Sequence, residues 1–299
     1  MKKIIFIAGA GRSGSTILDI ILGEGENCFS VGELRQIFLY FLPKESLCSC
    51  GNTYKTCRFW SEVLFNVFGK NDFSSAEINV LSKLHKIVEK IPILNSRNQY
   101  NYIKKFTSEI QEFKDIWKTL YQKIFEVSGC DIIIDSSKTP QYLLILKDMP
   151  FKVYLLHLIR DPRGVAYSWT KKKYEVGIYR YMKTHHPFTS AREWLIRNFK
   201  IERLKKFFNE NYLLKYEEFC KAPLILLEDI MKKFDLKLFP DFIKDNTILI
   251  KKKKHLLGGN PVRFLNNNFI EIKCDERWKK DLSFGNKIMV SLLTFPLII

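Results

Sequence analysis

The sequence predicts an α/β fold in three layers, a central parallel sheet held between helices, with a helical insertion in one connection. Three observations carry this. Apolar runs rich in Ile, Val and Leu recur at residues 3–8, 131–135, 152–159 and 212–216, too continuous for strands with one wet face and suited to a parallel sheet covered on both sides. Helix-length segments separate them, as parallel pairing requires for its crossovers. From about Phe59 to Ser128 no strand signal occurs, and "SSAEINVLSKLHKIVEK" is amphipathic at helical period. Two or three helices there form a cap inserted at about 59–128 into a single domain spanning 1–299. Repeats, low-complexity tracts and Gly/Ser linkers are absent from the sequence.

The first element is "MKKIIFIAGA", which mimics a secretion signal. Its apolar stretch, Ile4 to Ala8, is shorter than the ~7 residues a signal needs, and Gly-Arg-Ser follows. It reads as a buried strand. The turn after it, "AGAGRSGST", sets Gly9, Gly14 and Thr16 where G-x-x-x-x-G-K-[ST] requires them, with Ser15 in place of the lysine. A helix from about Ser15 to Leu22 would then point its amides and positive end at an anion. The loop is expected to bind phosphate or sulfate, which makes the fold P-loop-NTPase-like. Two other readings of this loop stand beside it. Gly9, Gly11 and Gly14 also satisfy G-x-G-x-x-G, with Glu33 nineteen residues beyond Gly14, as in a dehydrogenase. "DIIIDSSK" can be a strand ending in a magnesium-binding Asp135, as in a small-molecule kinase. The missing lysine weighs against the kinase.

Next come Cys48, Cys50 and Cys57 in "LCSCGNTYKTCRFW". The spacing lacks a paired second half and no fourth ligand lies nearby, so a disulfide or plain packing is expected before zinc. The other four cysteines are scattered, which fits reduced thiols in the cytoplasm.

"VYLLHLIRDPRGVAYSW" supplies a second strand-to-helix junction. The strand ends at Arg160, Asp161 serves as N-cap, Pro162 opens the helix, and Ser168 lies two turns along it. Arg160 and Ser168 can therefore meet a second anion, which neither the dehydrogenase nor the kinase requires. His157, inside the strand, reads as a core histidine.

The chain of 299 residues carries 49 Lys and Arg against 32 Asp and Glu, a net charge of +17. This favours an anionic partner without choosing among nucleotide, anionic glycan, nucleic acid or membrane surface. An apolar content of 46% excludes a disordered chain. No run of ~20 apolar residues spans a membrane, though peripheral membrane contact stays open.

Two anion sites at two strand-helix junctions suit a nucleotide with a phosphosulfate at one end and a ribose phosphate at the other. "AGAGRSGST" and "LIRDPRGVAYSW", in this order and about 150 residues apart, resemble the two halves of the cosubstrate site in sulfotransferases that use 3'-phosphoadenosine-5'-phosphosulfate. "CSCG…CRFW", "IIDSSKTP", "KYEEF" and "GGNPVRF" are similar to a bacterial-type branch of that family. The resemblance implies that Gly11, Arg12, Ser13, Gly14, Ser15 and Thr16 grip the phosphosulfate, with positive charge added by Lys138. It implies that Arg160 and Ser168 hold the 3'-phosphate, and that a loop bearing Asn260 and Arg263 closes over the adenosine. No metal is required in such a reaction, and nucleic acid is not an expected partner. The acceptor is expected to be a glycan, lipid or peptide.

Cytosolic small-molecule sulfotransferases carry Lys-Thr-His where this chain has Lys138, Thr139 and Pro140, so that histidine is absent. Glu33 resembles the glutamate base of the protein-tyrosine sulfotransferases, and burial beside Val31 and Leu34 is expected to raise its pKa toward the working range. Asp135 is the competing base, expected instead to fix Lys138 by an ion pair. A kinase, and a non-enzymatic basic module that binds polyanions, remain the alternative functions.

Overall fold

Five parallel strands form the centre of the computed structural model, which describes residues 1–237, 243–244, 246–264 and 268–297. They are β1 (Lys3–Gly9), β2 (Cys28–Gly32), β3 (Ile132–Lys138), β4 (Lys152–Ile159) and, after a short antiparallel ribbon of β5 (Tyr174–Glu175) and β6 (Arg180–Tyr181), β7 (Asn211–Lys215). The sheet order is β2-β3-β1-β4-β7. β3 thus lies between β1 and β2, unlike the 3-2-1-4-5-6 order of dinucleotide-binding sheets, so the dehydrogenase reading loses its fold.

The four apolar runs occupy four of these strands. β2 carries no such signal, because "CFSVG" is short, half-buried at Phe29 and Ser30, and ends in glycine. In β1, Ile4, Phe6 and Ala8 face one apolar cluster while Ile5 and Ile7 face another. Burying each large aliphatic side chain contributes about 1.5–3 kcal/mol, enough to fix the strand centrally despite its unpatterned sequence.

On one face lie α1 (Ser15–Gly23) and, later in the chain, α10 (Pro223–Lys233), which follows the short α9 (Tyr216–Lys221). The opposite face is covered by α2 (Arg58–Phe68), α3 (Ser75–Glu89), α5 (Thr107–Ser128) and α6 (Pro140–Leu146). With α4 (Ser96–Lys105), the stretch expected to hold two or three helices holds four. Their apolar faces merge with the sheet core through Trp60, Phe113, Trp117 and Phe125. The amphipathic helix starts where its sequence dictates, because Ser74 and Glu77 form a reciprocal capping box. α7 (Pro162–Thr170) and α8 (Pro187–Lys205) pack with α12 (Phe284–Thr294), which follows α11 (Trp278–Asp281), and α8 also packs against the interior strands β1 and β4. A small antiparallel sheet joins β8 (Ile243–Lys244), β9 (Thr247–Leu249) and β10 (Phe269–Glu271).

Two expectations are corrected here. Cys48, Cys50 and Cys57 are free thiols with no disulfide between them, and a fourth donor does accompany them: His255, brought 198 residues along the chain to within 3.3 Å of the Cys57 sulfur. Local spacing could not reveal it. Asp135 does not pair with Lys138. Its carboxylate accepts from the Ser137 amide and hydroxyl and from the Tyr121 hydroxyl, all beneath the sheet end.

Candidate functional site

The carboxyl ends of β1, β3 and β4 open into one cavity of about 770 Å³, the position at which open parallel sheets take ligands. Ten Lys and Arg against five carboxylates line it among the described residues.

The loop after β1 forms its floor. Arg12 has φ 68° and Gly14 has φ 92°, so the chain turns through the left-handed region before α1 begins. Gly14 is required there, since a Cβ would also lie 2.9 Å from the Tyr216 ring. Gly14 is the N-cap of α1, with no side-chain cap and no acid in the first turn. No side chain therefore caps the amides of this helix end, although the Ile17 amide turns back to the Gly14 carbonyl at 3.1 Å. Gly11, Arg12, Gly14, Ser15 and Thr16 line the cavity. Ser13 does not: it is buried, and its hydroxyl has no partner among the described residues. Arg12 stacks 4.7 Å from the Trp169 ring, its Nε is without a partner among the described residues, and burial lowers its pKa against the attraction of Glu175 and Glu33.

The second junction braces the first. Arg160, 5% exposed, donates to the Arg12 carbonyl at 2.9 Å and to the Asp275 carbonyl at 3.0 Å, and lies 4.5 Å from the Tyr216 ring. Asp161 caps α7 by accepting from the Arg163 amide. Ser168 is buried and lines the same cavity as Arg160. His157 is a core histidine as expected, held between Glu202 and Asn198 at 2.9 Å each.

Lys138, the last residue of β3, reaches the cavity with φ 63° and pairs with Glu33, both nearly fully buried. Arg35 and Gln36 donate to the other Glu33 oxygen at 3.3 and 3.1 Å. The expected pKa rise at Glu33 is overturned. Burial does push it up, but the charges of Lys138 and Arg35 outweigh burial and leave it at about 2. Burial lowers Lys138, with Glu33 opposing. Asp135, without a cation beside it, is raised by burial to about 6, and it does not line the cavity.

The segment after His255 completes the roof. Leu257 exchanges main-chain hydrogen bonds with Val31 and Glu33, and Asn260 donates its amide to the Thr16 hydroxyl at 3.0 Å. Gly259, at φ 94°, brings its backbone so near that a Cβ would lie 2.8 Å from that hydroxyl. Arg263 is buried in an ion pair with Glu175 at 2.9 Å and lines the cavity with Asn260. The cavity also takes Arg35, Lys173, Arg197 and Lys273, which no sequence pattern singled out. Arg197 comes from mid-helix in α8, where only tertiary packing aims it inward.

Among solved structures, the chain is similar over 98% of its length to the sulfotransferase domain from the olefin synthase of Synechococcus PCC 7002, covering 94% of that chain at 18% identity and TM-score 0.54. It is likewise similar to the sulfotransferase domain from the curacin biosynthetic pathway, covering 98% of each chain at 17% identity and TM-score 0.57. The chain therefore has the P-loop-like α/β fold of these domains. No protein-family profile matches the sequence, and no curated protein matches it.

Proposed function

We propose that this protein transfers a sulfuryl group from 3'-phosphoadenosine-5'-phosphosulfate to a hydroxyl or amine of a glycan, lipid or peptide acceptor. The observation that carries the reading is the meeting of two basic strand-helix junctions and the Glu33–Lys138 pair in one cavity. The likeness in fold to sulfotransferase domains supports it.

In this mechanism the amides of the β1–α1 loop, with Arg12, Ser15 and Thr16, hold the phosphosulfate. Arg160 and Ser168 hold the 3'-phosphate, and the Gly259–Asn260 turn lies over the donor. The acceptor oxygen forms a bond to sulfur as the bond from sulfur to the bridging oxygen breaks. The electron pair leaves on the 5'-phosphate of adenosine 3',5'-bisphosphate, and the acceptor proton goes to Glu33. Sulfuryl transfer spreads charge over peripheral oxygens, so positioned cations stabilise the transition state. Lys138, which lines the cavity, supplies such a cation in this reading.

Its pairing with Glu33 gives the donor a second task. A bound phosphosulfate competes for the Lys138 ammonium, and a buried carboxylate that loses its cation gains basicity. Glu33 would thus become an effective base only once donor is in place. Magnesium has no part in this reading, and Asp135, its ligand in the kinase reading, instead accepts hydrogen bonds from Ser137 and Tyr121. The free state of all seven cysteines fits a cytoplasmic location. No helix among the described residues is long and apolar enough to cross a membrane.

The deciding experiment combines calorimetry with adenosine 3',5'-bisphosphate, NAD and ATP with a mass-shift screen of glycan, lipid, phenol and peptide acceptors. Selective binding of the bisphosphate and a sulfate-sized mass gain support the reading. Magnesium-dependent ATP turnover would instead favour the kinase. Salt-sensitive polyanion binding, indifferent to Arg12→Ala and without turnover, would favour a binding module.

A further inference from the structure

Four soft donors converge away from the cavity: the sulfurs of Cys48, Cys50 and Cys57 and Nδ1 or Nε2 of His255, all within 4.8 Å of one another. Packing accounts for the buried Cys48 and Cys57, which behave as small hydrophobes. It does not account for Cys50, which is exposed. A disulfide would join two of the three sulfurs and leave a thiol and an imidazole unexplained.

Three of the donor separations come near those around a small tetrahedral ion. Cys48 Sγ lies 3.8 Å and Cys57 Sγ 3.3 Å from His255 Nδ1, and Cys50 Sγ lies 3.6 Å from Cys57 Sγ. A tetrahedral zinc ion with Zn–S of about 2.3 Å and Zn–N of about 2.0–2.1 Å has ligand-to-ligand edges of about 3.5–3.8 Å. We infer that Cys48, Cys50, Cys57 and His255 form a structural Cys3His zinc site.

The surroundings hold the donors in place. Trp60 Nε1 donates to the His255 carbonyl at 2.8 Å, and the imidazole stacks on Phe59 with centroids 5.3 Å apart. Ser49, between two of the cysteines, bonds Leu256 twice: its amide donates to the Leu256 carbonyl at 3.0 Å, and its hydroxyl accepts from the Leu256 amide at 2.8 Å. These contacts fix the backbone and the ring that carry the donors. Four protein ligands fill the tetrahedron and leave no position for substrate, so the ion serves the fold. Binding releases the three thiol protons.

What the ion secures is the segment from His255 to Asn260. Leu257, two residues on, donates to the Val31 carbonyl at 2.9 Å and accepts from the Glu33 amide at 2.6 Å. Zinc would thus clasp the cavity roof to the loop carrying Cys48–Cys57, whatever reaction the cavity performs.

The test is elemental analysis of the full chain purified without chelator, with cobalt substitution as its second arm. One zinc per chain is expected, lost in Cys57→Ser, reduced in His255→Ala and retained in Cys130→Ser, whose thiol lies outside the cluster. Cobalt should give the visible bands of a tetrahedral thiolate-rich site, so the unmodified chain decides the matter even if Cys57→Ser is insoluble. A metal-free chain without those bands, or a Cys50–Cys57 disulfide in non-reducing mass spectrometry, overturns the assignment.

Discussion

The two strand-helix junctions stand side by side on neighbouring strands β1 and β4, yet they offer an anion different things. At the first, Gly14 leaves the start of α1 without a side-chain cap. At the second, Asp161 satisfies the start of α7 with its own carboxylate and places a negative charge there. An anion at the first junction can be held by main-chain amides and the helix dipole, whereas at the second it must be held by side chains, Arg160 foremost. In the proposed function, one structural unit thus yields two kinds of anion site according to what caps the helix. The uncapped end suits a group that reacts, because fixed amides need no rearrangement, and the capped end suits a group that is only gripped.

The largest expected effect tests whether the first junction is the reactive one. Glu33→Gln should lower kcat by ~10² to 10⁴ while the bisphosphate still binds. Near-normal kcat with an inactive Asp135→Asn would move the base beneath the sheet and end the contrast. Next, Arg160→Ala should weaken adenosine 3',5'-bisphosphate by about tenfold to a hundredfold, the worth of a charged hydrogen bond. Ser168→Ala should cost less. Calorimetry with adenosine 5'-phosphosulfate, which lacks the 3'-phosphate, should register little change in either variant, and equal losses for both ligands would erase the distinction between the junctions.

A third prediction concerns Asp19, which backs the first junction from within α1. It is fully buried, it accepts from Ser30 and from Ser136, the latter at 2.7 Å, and burial raises its pKa to about 7. A carboxyl whose folded pKa exceeds its unfolded value binds its proton more tightly when folded, so its contribution weakens as pH rises from about 4 to 7. Asp135, raised to about 6, adds to this. Glu33 and Glu89, lowered to about 2, act oppositely, and their contribution is lost as pH falls below the ordinary carboxylate range toward 2. Asp19→Asn should therefore flatten the decline of stability between pH 5 and 7 by on the order of 2 kcal/mol, read from denaturant midpoints. An unchanged slope would show Asp19 ionised throughout. The smallest effect is Asp161→Ala, which removes the cap of α7 and should cost about 1 kcal/mol in stability with bisphosphate affinity unaltered. Tighter anion binding in that variant would show that the second junction is limited by its cap.

Local chemistry made much of this legible. The glycines and hydroxyls of residues 9–16 signal a turn into a helix on their own, and Asp161-Pro162 announces a helix start without help from the rest of the chain. β2 escaped because its five residues bury through pairing with β3 and not through their own pattern. The environment of Glu33 escaped for a related reason: Val31 and Leu34 indicate burial, but the cations that reverse its effect include Lys138, 105 residues away.

By itself, then, the sequence located four of the five central strands, the helices that open after Gly14 and Asp161, and the covering of both sheet faces. These follow from steric and hydrogen-bonding preferences acting within about one turn of helix or a few residues of strand. Only the tertiary structure decided that Glu33 pairs with Lys138 while Asp135 does not, that Ser13 is buried outside the cavity lining, that Arg197 joins that lining, and that His255 joins three cysteines nearly two hundred residues earlier. Burial, charge pairing and ligand geometry depend on distance in space, and separation along the chain carries no record of it.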